Sequence, residues 1–298
     1  MKNLYSKSET KIGYSFFLPA FIVLCIFLLW PCLQLLILSF TKTNMLRPDQ
    51  AGKFIGLRNY INLYKNAEFW TAGYRSLVFT AIATVVSIVL SYLIASLVNF
   101  DFRGKSLVYA GLFLPWVISD VITAFIFRWS YDMTYGIVNY LLSETLHILS
   151  GPIPWLGRMD TAMPAVIIAN VWRLMPFSTM VIIAALKQVP AGLLEAARMD
   201  GASNFRVHTK VIIPSIKAPL AVLYILRIGA LFRSFDIIWL LTKGGPGNAT
   251  NVLPIYYYRT AFEGMSLGSG AAIAVHILLF VIVCYYIIFR LFGKEAFS

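Results

Sequence analysis

Groups that do chemistry are scarce in this 298-residue sequence: three histidines (His147, His208, His276), three cysteines (Cys25, Cys32, Cys284) and thirteen acidic residues against 25 basic ones. The histidines lie far apart, and no HExxH or paired-carboxylate cluster accompanies them, which removes the usual metal-site patterns. Each cysteine sits in an apolar stretch without CxxC spacing. Cys25 and Cys32 share one predicted helix, where seven residues of rise place them about 10 Å apart, too far for a disulfide. No nucleophile stands near a base along the chain.

Phosphate-binding signatures are missing too. Gly104-Lys105-Ser106 ends like a P-loop, but the first glycine of that loop would fall on Asn99. Gly268-Ser269-Gly270 lacks the third glycine of a dinucleotide fingerprint and opens an apolar helix with no strand before it. Asn248-Ala249-Thr250 fits a glycosylation acceptor, a triplet too common by chance to carry weight. The net charge of +12 would suit nucleic acid only if the basic residues shared a face. They are dispersed in short segments between apolar runs, so no nucleic-acid partner is expected.

Apolar surface is abundant. Hydrophobic residues make up 59% of the chain and charged ones 13%, and the mean hydropathy is +0.75. A soluble α/β enzyme would show apolar runs of about 4 to 14 residues. Here six runs, 13–40, 73–98, 107–130, 161–186, 216–242 and 268–292, are long enough to cross a hydrocarbon core of about 30 Å as helices. Helix is required because lipid offers the backbone no hydrogen-bond partner, and the runs are too continuous for barrel strands. Pro19, Pro31, Pro115, Pro164 and Pro176 are expected to kink these helices. Lys2, Lys7 and Lys11 precede the first run as in a signal peptide, but the run exceeds the 7 to 15 residues of a signal core, so it is expected to remain as a span. With no solenoid repeat and no Gly/Ser- or Pro-rich linker, residues 1–298 read as a single all-α, polytopic membrane domain of about six transmembrane helices.

Basic residues orient the spans. With the N-terminus inside, twelve Lys and Arg fall in the inner segments and eight in the outer ones, with Arg75 and Arg128 at outer helix ends narrowing the difference. Both termini are therefore expected in the cytoplasm, on the inner side of a multi-pass membrane protein.

The inner segment 187–217 is the richest in charge. Pro190 can open a helix, Leu193 to Met199 favours one, Gly201 can take the left-handed conformation that ends it, and Ser203 can cap a second. Leu193, Leu194, Ala197 and Phe205 would form an apolar face outside the bilayer. Such a face calls for a partner, or it rests on lipid headgroups. Chemistry alone leaves both open.

The stretch carries Glu195-Ala196-Ala197, then Asp200-Gly201-Ala202, then a hydrophobic-x-hydrophobic-Pro214 ending, and in that spacing it resembles the EAA loop of permease subunits of binding-protein-dependent ABC importers. His208 departs from the family, which usually has an aromatic there. Phe54-x-Gly56-Leu57-x-Asn59-Tyr60, Trp155-Leu156-Gly157 and Leu241-Thr242-x-Gly244-Gly245-Pro246 are similar to the carbohydrate-uptake (maltose and glycerol-phosphate type) branch. The resemblance covers roughly residues 13–292. It implies a type I ABC importer permease that pairs with a second, homologous permease subunit, two ATPase subunits that bind ATP and Mg, and an extracytoplasmic solute-binding protein, in a bacterial cytoplasmic membrane. Residues 187–217, between the fourth and fifth spans, would be the coupling helix seated in a cleft of the ATPase. Glu195 would accept charge-assisted hydrogen bonds there, Gly201 would permit the turn, and Asp200 would hold local geometry. The chain itself would be no enzyme and bind no cofactor.

Ionisable residues inside spans are costly and tend to face a wet interior. Asp120, Arg173 with its neighbour Trp172, and Asp236 are the candidates for the path of a sugar or oligosaccharide, and Arg227 and Arg233 are further intramembrane charges. A structural ion pair is the other reading of Arg173, and Arg233 could pair with Asp236 three residues on along one helix face. Trp116, Tyr224, Trp239 and Tyr256 to Tyr258 line either the pore or the membrane interface. Two other classes compete. An ion-coupled secondary carrier would use Asp120 and Asp236 as coupling sites, though no inverted repeat is visible. An enzyme of lipid-linked sugars would need Asp132, Glu144 and Asp160 grouped.

Overall fold

The computed structural model describes residues 7–100 and 102–296. Lys2 and the extreme chain ends, used above for orientation, lie outside the described residues. Four helices are long and apolar enough to cross a membrane, Tyr14–Ser39, Ala67–Val98, Met159–Leu186 and Leu267–Arg290, and two further helix pairs pass the same test as bent spans. Contacts group the chain into two units, one of residues 1–67 and 257–276, the other of residues 68–256 and 277–298.

In the first unit, α1 (Lys7–Leu24) passes through a π-helical turn at Cys25–Leu29 into α2 (Trp30–Ser39). The wide turn falls just before Pro31, whose ring would otherwise press on the carbonyl four residues back. The sequence expectation of a kink is met here by a local rewinding. No residue in the most apolar stretch of this span is buried within the chain, as expected of a helix facing lipid or a second subunit. After it, a two-residue strand β1 (Thr41–Lys42) pairs antiparallel with β2 (Lys53–Phe54). The amphipathic α3 (Arg58–Lys65) follows. Asn59 is buried and donates to the carbonyls of Ser39 and Thr41 at 2.8 and 2.9 Å. The Tyr60 hydroxyl meets Ser39 Oγ at 2.7 Å. The Phe54-to-Tyr60 motif thus closes the carbonyl end of the first span, where helix termini lack internal partners.

The second unit is built on α4 (Ala67–Val98) and α7 (Met159–Leu186). Between them lie α5 (Lys105–Val117) and α6 (Asp120–Ser130). A seam of small residues along α4, including Ala72, Ser76, Thr80, Ala83, Ser87, Ser91 and Ala95, is buried. Small side chains let helix backbones approach closely in lipid, where packing rather than water exclusion holds helices together. One core cluster joins Phe79, Ala124, Val166, Leu231, Ile238 and Ile255. A second joins Ile88, Ile182, Leu186, Val207, Ile216 and Leu223.

The third and fifth expected spans are not single helices. Segment 107–130 breaks at Ile118-Ser119, where α5 and α6 meet at 103°. Ser119 is extended, and its Oγ accepts from the Ile122 N–H, starting a new helix with Asp120 in its first turn. Segment 216–242 divides into α10 (Lys217–Phe232) and α11 (Asp236–Thr242). Here no side chain caps the new helix, and the link carries Arg233 and Ser234 with Asp236 in the first turn of α11. Arg233 and Asp236 are accordingly not on one helix face, and the Arg233 Nε donates instead to the Gly229 carbonyl at 2.9 Å.

Candidate functional site

The two helix breaks and the middle of α7 meet around a polar cavity of about 330 Å³. Asp120 comes from the start of α6, Asn170 and Arg173 from α7, and Arg233, Ser234 and Asp236 from the unwound link and the start of α11. Arg173 pairs with Asp120, side chains about a quarter and a third exposed. Ser234 donates to Asn170 Oδ1 at 3.0 Å, while Asn170 Nδ2 donates to the Val166 carbonyl at 2.9 Å. Two carboxylates and two guanidinium groups thus line one cavity together with a hydroxyl and an amide. Such a set can exchange hydrogen bonds with a solute rich in hydroxyls. Irregular backbone at membrane depth is tolerated where it lines a protein-enclosed or wet cavity, and broken helices with their ends aimed at midplane are a recurrent way to build a solute site.

Of the path residues expected from sequence, the fold brings Asp120, Arg173 and Asp236 together and leaves Trp172 aside. The Trp172 ring packs edge-on against Phe127, 5.4 Å between centroids. Trp239 stacks on Phe235, and Trp116 lies against Phe177. Arg227 is buried elsewhere on α10, its Nε donating to Ser178 Oγ at 2.7 Å and its guanidinium 5.2 Å from the Phe177 ring centroid. Asn170 and Ser234 went unremarked in the sequence because they carry no charge. Their signal was position: Asn170 lies three residues before Arg173, on the same helix face.

The segment 187–217 contains α8 (Ala191–Met199) and the short α9 (Asn204–Val207). Gly201 has φ +75°, and nothing lies within 4 Å of where its Cβ would be. Its need for glycine is conformational, since L-residues pay steric energy there. Ser203 Oγ accepts from the Arg206 N–H at 3.4 Å. A π-helical turn at His208–Ile212 precedes Pro214, the device already seen at Pro31. The His208 ring meets the Tyr92 ring edge-on at 5.8 Å, with Nδ1 and the tyrosine hydroxyl 2.7 Å apart. His208 therefore packs as an aromatic would and adds a hydrogen bond.

The apolar face expected of this segment divides. Leu194, Ala197 and Ala202 pack onto the core cluster of Ile182, Leu186 and Ile216, whereas Leu193, Met199 and Phe205 are exposed. Round the helix Ala197 lies between Leu193 and Leu194, so the edge of the packed face falls between Ala197 and Leu193. Glu195, Ala196, Asp200 and Pro214 are also exposed.

Acidic residues elsewhere are held in local structure. Asp132 accepts from the Tyr135 and Thr134 N–H groups at 2.9 and 2.8 Å, which holds its carboxyl below the usual range. Asp160 is bonded by Arg158. Glu68 Oε1 accepts from Asn248 and Asn251 Nδ2 at 3.0 and 2.9 Å, fastening the Gly244-Gly245-Pro246 loop to α4. Among the described residues no three His, Cys, Asp or Glu side chains are grouped to hold a metal.

A family model described as "binding-protein-dependent transport system inner membrane component" matches residues 14–297. This chain belongs to that family. The permease is 34% identical to the trehalose/maltose transport system permease protein MalF of Thermococcus litoralis, over 96% of this chain and 95% of that one. It is 33% identical to the trehalose transport system permease protein SugA of Mycobacterium tuberculosis, over 97% and 91%. It shares the fold of a bacterial ABC transporter involved in the import of the acidic polysaccharide alginate, with TM-score 0.81, 24% identity and 97% of both chains covered. A bacterial alginate ABC transporter in complex with an alginate pentasaccharide-bound periplasmic protein gives TM-score 0.80 at 23% identity, over 97% and 96%. The permease is a membrane-spanning transport subunit and not an enzyme, and the secondary-carrier and lipid-linked-sugar readings fall with that membership.

Proposed function

We propose that the permease forms one half of the translocation pore of an ATP-driven importer for a sugar or oligosaccharide, with the polar cavity between α6, α7 and α11 on the solute's path. The observation that carries this reading is the placement of Asp120, Asn170, Arg173, Ser234 and Asp236 at two helix breaks beside the centre of α7. The names of the relatives, trehalose/maltose and trehalose permeases, supply the class of solute. A homologous permease would complete the pore, and a solute-binding protein would deliver the cargo from outside. ATP and Mg would bind two ATPase subunits on the inner side.

Coupling runs through 187–217. The exposed Glu195, Leu193, Met199 and Phe205 face outward for an ATPase cleft, while Leu194, Ala197 and Val207 tie the segment to α4, α7 and α10. Movement of the docked face would therefore reach the cavity through packed helices. Reconstituted with its partner subunits, binding protein and labelled sugar, the transporter should accumulate solute only with ATP and the ATPase. Glu195→Lys should leave insertion intact and weaken ATPase co-purification by about 10- to 100-fold, from the 1.5 to 3 kcal/mol of a charge-assisted hydrogen bond. Uptake that persists without the ATPase would refute the import reading; normal docking of Glu195→Lys would refute only the coupling role.

A further inference from the structure

The first unit contains a second polar cavity, of about 300 Å³, between the end of α2, α3 and the start of α13 (Leu267–Ala296). Lys42, Asn44, Arg58, Asn62, Ser266 and Ser269 are among its lining residues, and none of the lining side chains is acidic. Its walls adjoin the ends of two candidate spans. Lys42 follows the last residue of the span Tyr14–Ser39 by three positions, and Ser269 is the third residue of the span Leu267–Arg290. Arg58, Asn62 and the buried Asn59 line the cavity and Leu63 is buried, while Ile61 and Leu57, the residue just before α3, are 51% and 60% exposed. An amphipathic helix with an exposed apolar stripe next to basic residues lies in the membrane interface.

We propose that this cavity binds the phosphate of an anionic phospholipid, with Lys42 and Arg58 on the phosphate oxygens, amide and hydroxyl groups on the glycerol head, and the acyl chains along Leu57 and Ile61. A basic pocket at a span end favours an anionic headgroup through charge-assisted hydrogen bonds. The position of the cavity at two span ends and the adjacent apolar residues favour lipid over an acidic segment of a protein partner, which would need neither. The inference is independent of the solute and of the coupling segment.

The test uses the intact transporter complex, purified and stripped of lipid, then titrated with phosphatidylglycerol, phosphatidylcholine or inorganic phosphate while bound lipid is counted by native mass spectrometry. Phosphatidylglycerol should be retained in preference to phosphatidylcholine. Lys42→Gln with Arg58→Gln should weaken the retained adduct by at least about tenfold, the loss of a charge-assisted hydrogen bond. Lys65→Gln, an exposed cation on the same helix, should not. Equal retention of the two lipids, an unchanged adduct in the double variant, or an equal loss in Lys65→Gln would overturn the proposal. So would displacement of the lipid by inorganic phosphate at equal concentration, which would make the site one for free anions. All three positions are exposed, so the variants should fold, and elution of the complex at its normal size verifies it.

Discussion

Arg173 and Asp120 neutralise each other where neither could stand alone at low cost, since an unpaired charge within a span is expensive. Removing one partner of a buried pair costs about 3 to 5 kcal/mol, but these side chains keep a quarter to a third of their exposure, so about 1 to 2 kcal/mol is expected. Arg173→Gln should therefore lower the melting temperature of the complex. Asp120→Asn combined with Arg173→Gln should regain most of that loss, while uptake stays impaired because the cavity's charges have gone. Strictly additive losses in the thermal unfolding of the single and double variants would show the two residues to be uncoupled. These residues were legible in the sequence because charge in an apolar run is rare and costly. Asn170 and Ser234, which line the same cavity, were hidden because an amide or hydroxyl in a span has many uses. Trp172 misled for the opposite reason: adjacency in sequence to Arg173 turns it about a hundred degrees round the helix, onto Phe127.

The helices were readable as hydrophobic runs, but their interruptions were not. The breaks carry polar residues, Ser119-Asp120 and Arg233-Ser234-Phe235-Asp236, but the runs 107–130 and 216–242 around them stay apolar on average. The available signals were local, a serine cap followed by an acid at Ser119-Asp120 and an acid opening α11 at Asp236, and both were outweighed by the length of the surrounding run. Packing between helices was equally out of reach, because it depends on which distant residues meet. Gly229 on α10 illustrates this. A Cβ there would overlap the Tyr285 hydroxyl on α13. Gly229→Ala should destabilise the complex by about 1 to 3 kcal/mol, the usual cost of overpacking. Adding Tyr285→Phe should recover part of it, since the ring carbon Cζ would remain 3.0 Å away. Thermal denaturation of the three variants measures both effects, and a Gly229→Ala protein as stable as the parent would mean the tyrosine swings clear.

Topology is where element and molecule meet, because the bend of 103° between α5 and α6 decides the side of everything after it. The 13 residues of α5 and 11 of α6 rise about 20 and 17 Å, so neither alone spans a core of about 30 Å. If the pair crosses, segment 131–158 lies outside and 187–217 inside, where ATP is available. If it dips in and returns, both segments exchange sides and 187–217 cannot meet an ATPase. The count of basic residues favours crossing, and so does the apolar exterior of both halves, with Leu114, Val117, Ile122 and Phe125 exposed as lipid would require. Cysteine labelling separates the two arrangements. With Cys25, Cys32 and Cys284 replaced by alanine, Tyr135→Cys and Met199→Cys offer thiols at positions 83% and 88% exposed, on opposite sides of α7. In intact spheroplasts an impermeant maleimide should modify Tyr135→Cys and spare Met199→Cys until the membrane is opened. The reverse pattern would make α5 and α6 a re-entrant hairpin and would remove the coupling role of Glu195 along with it.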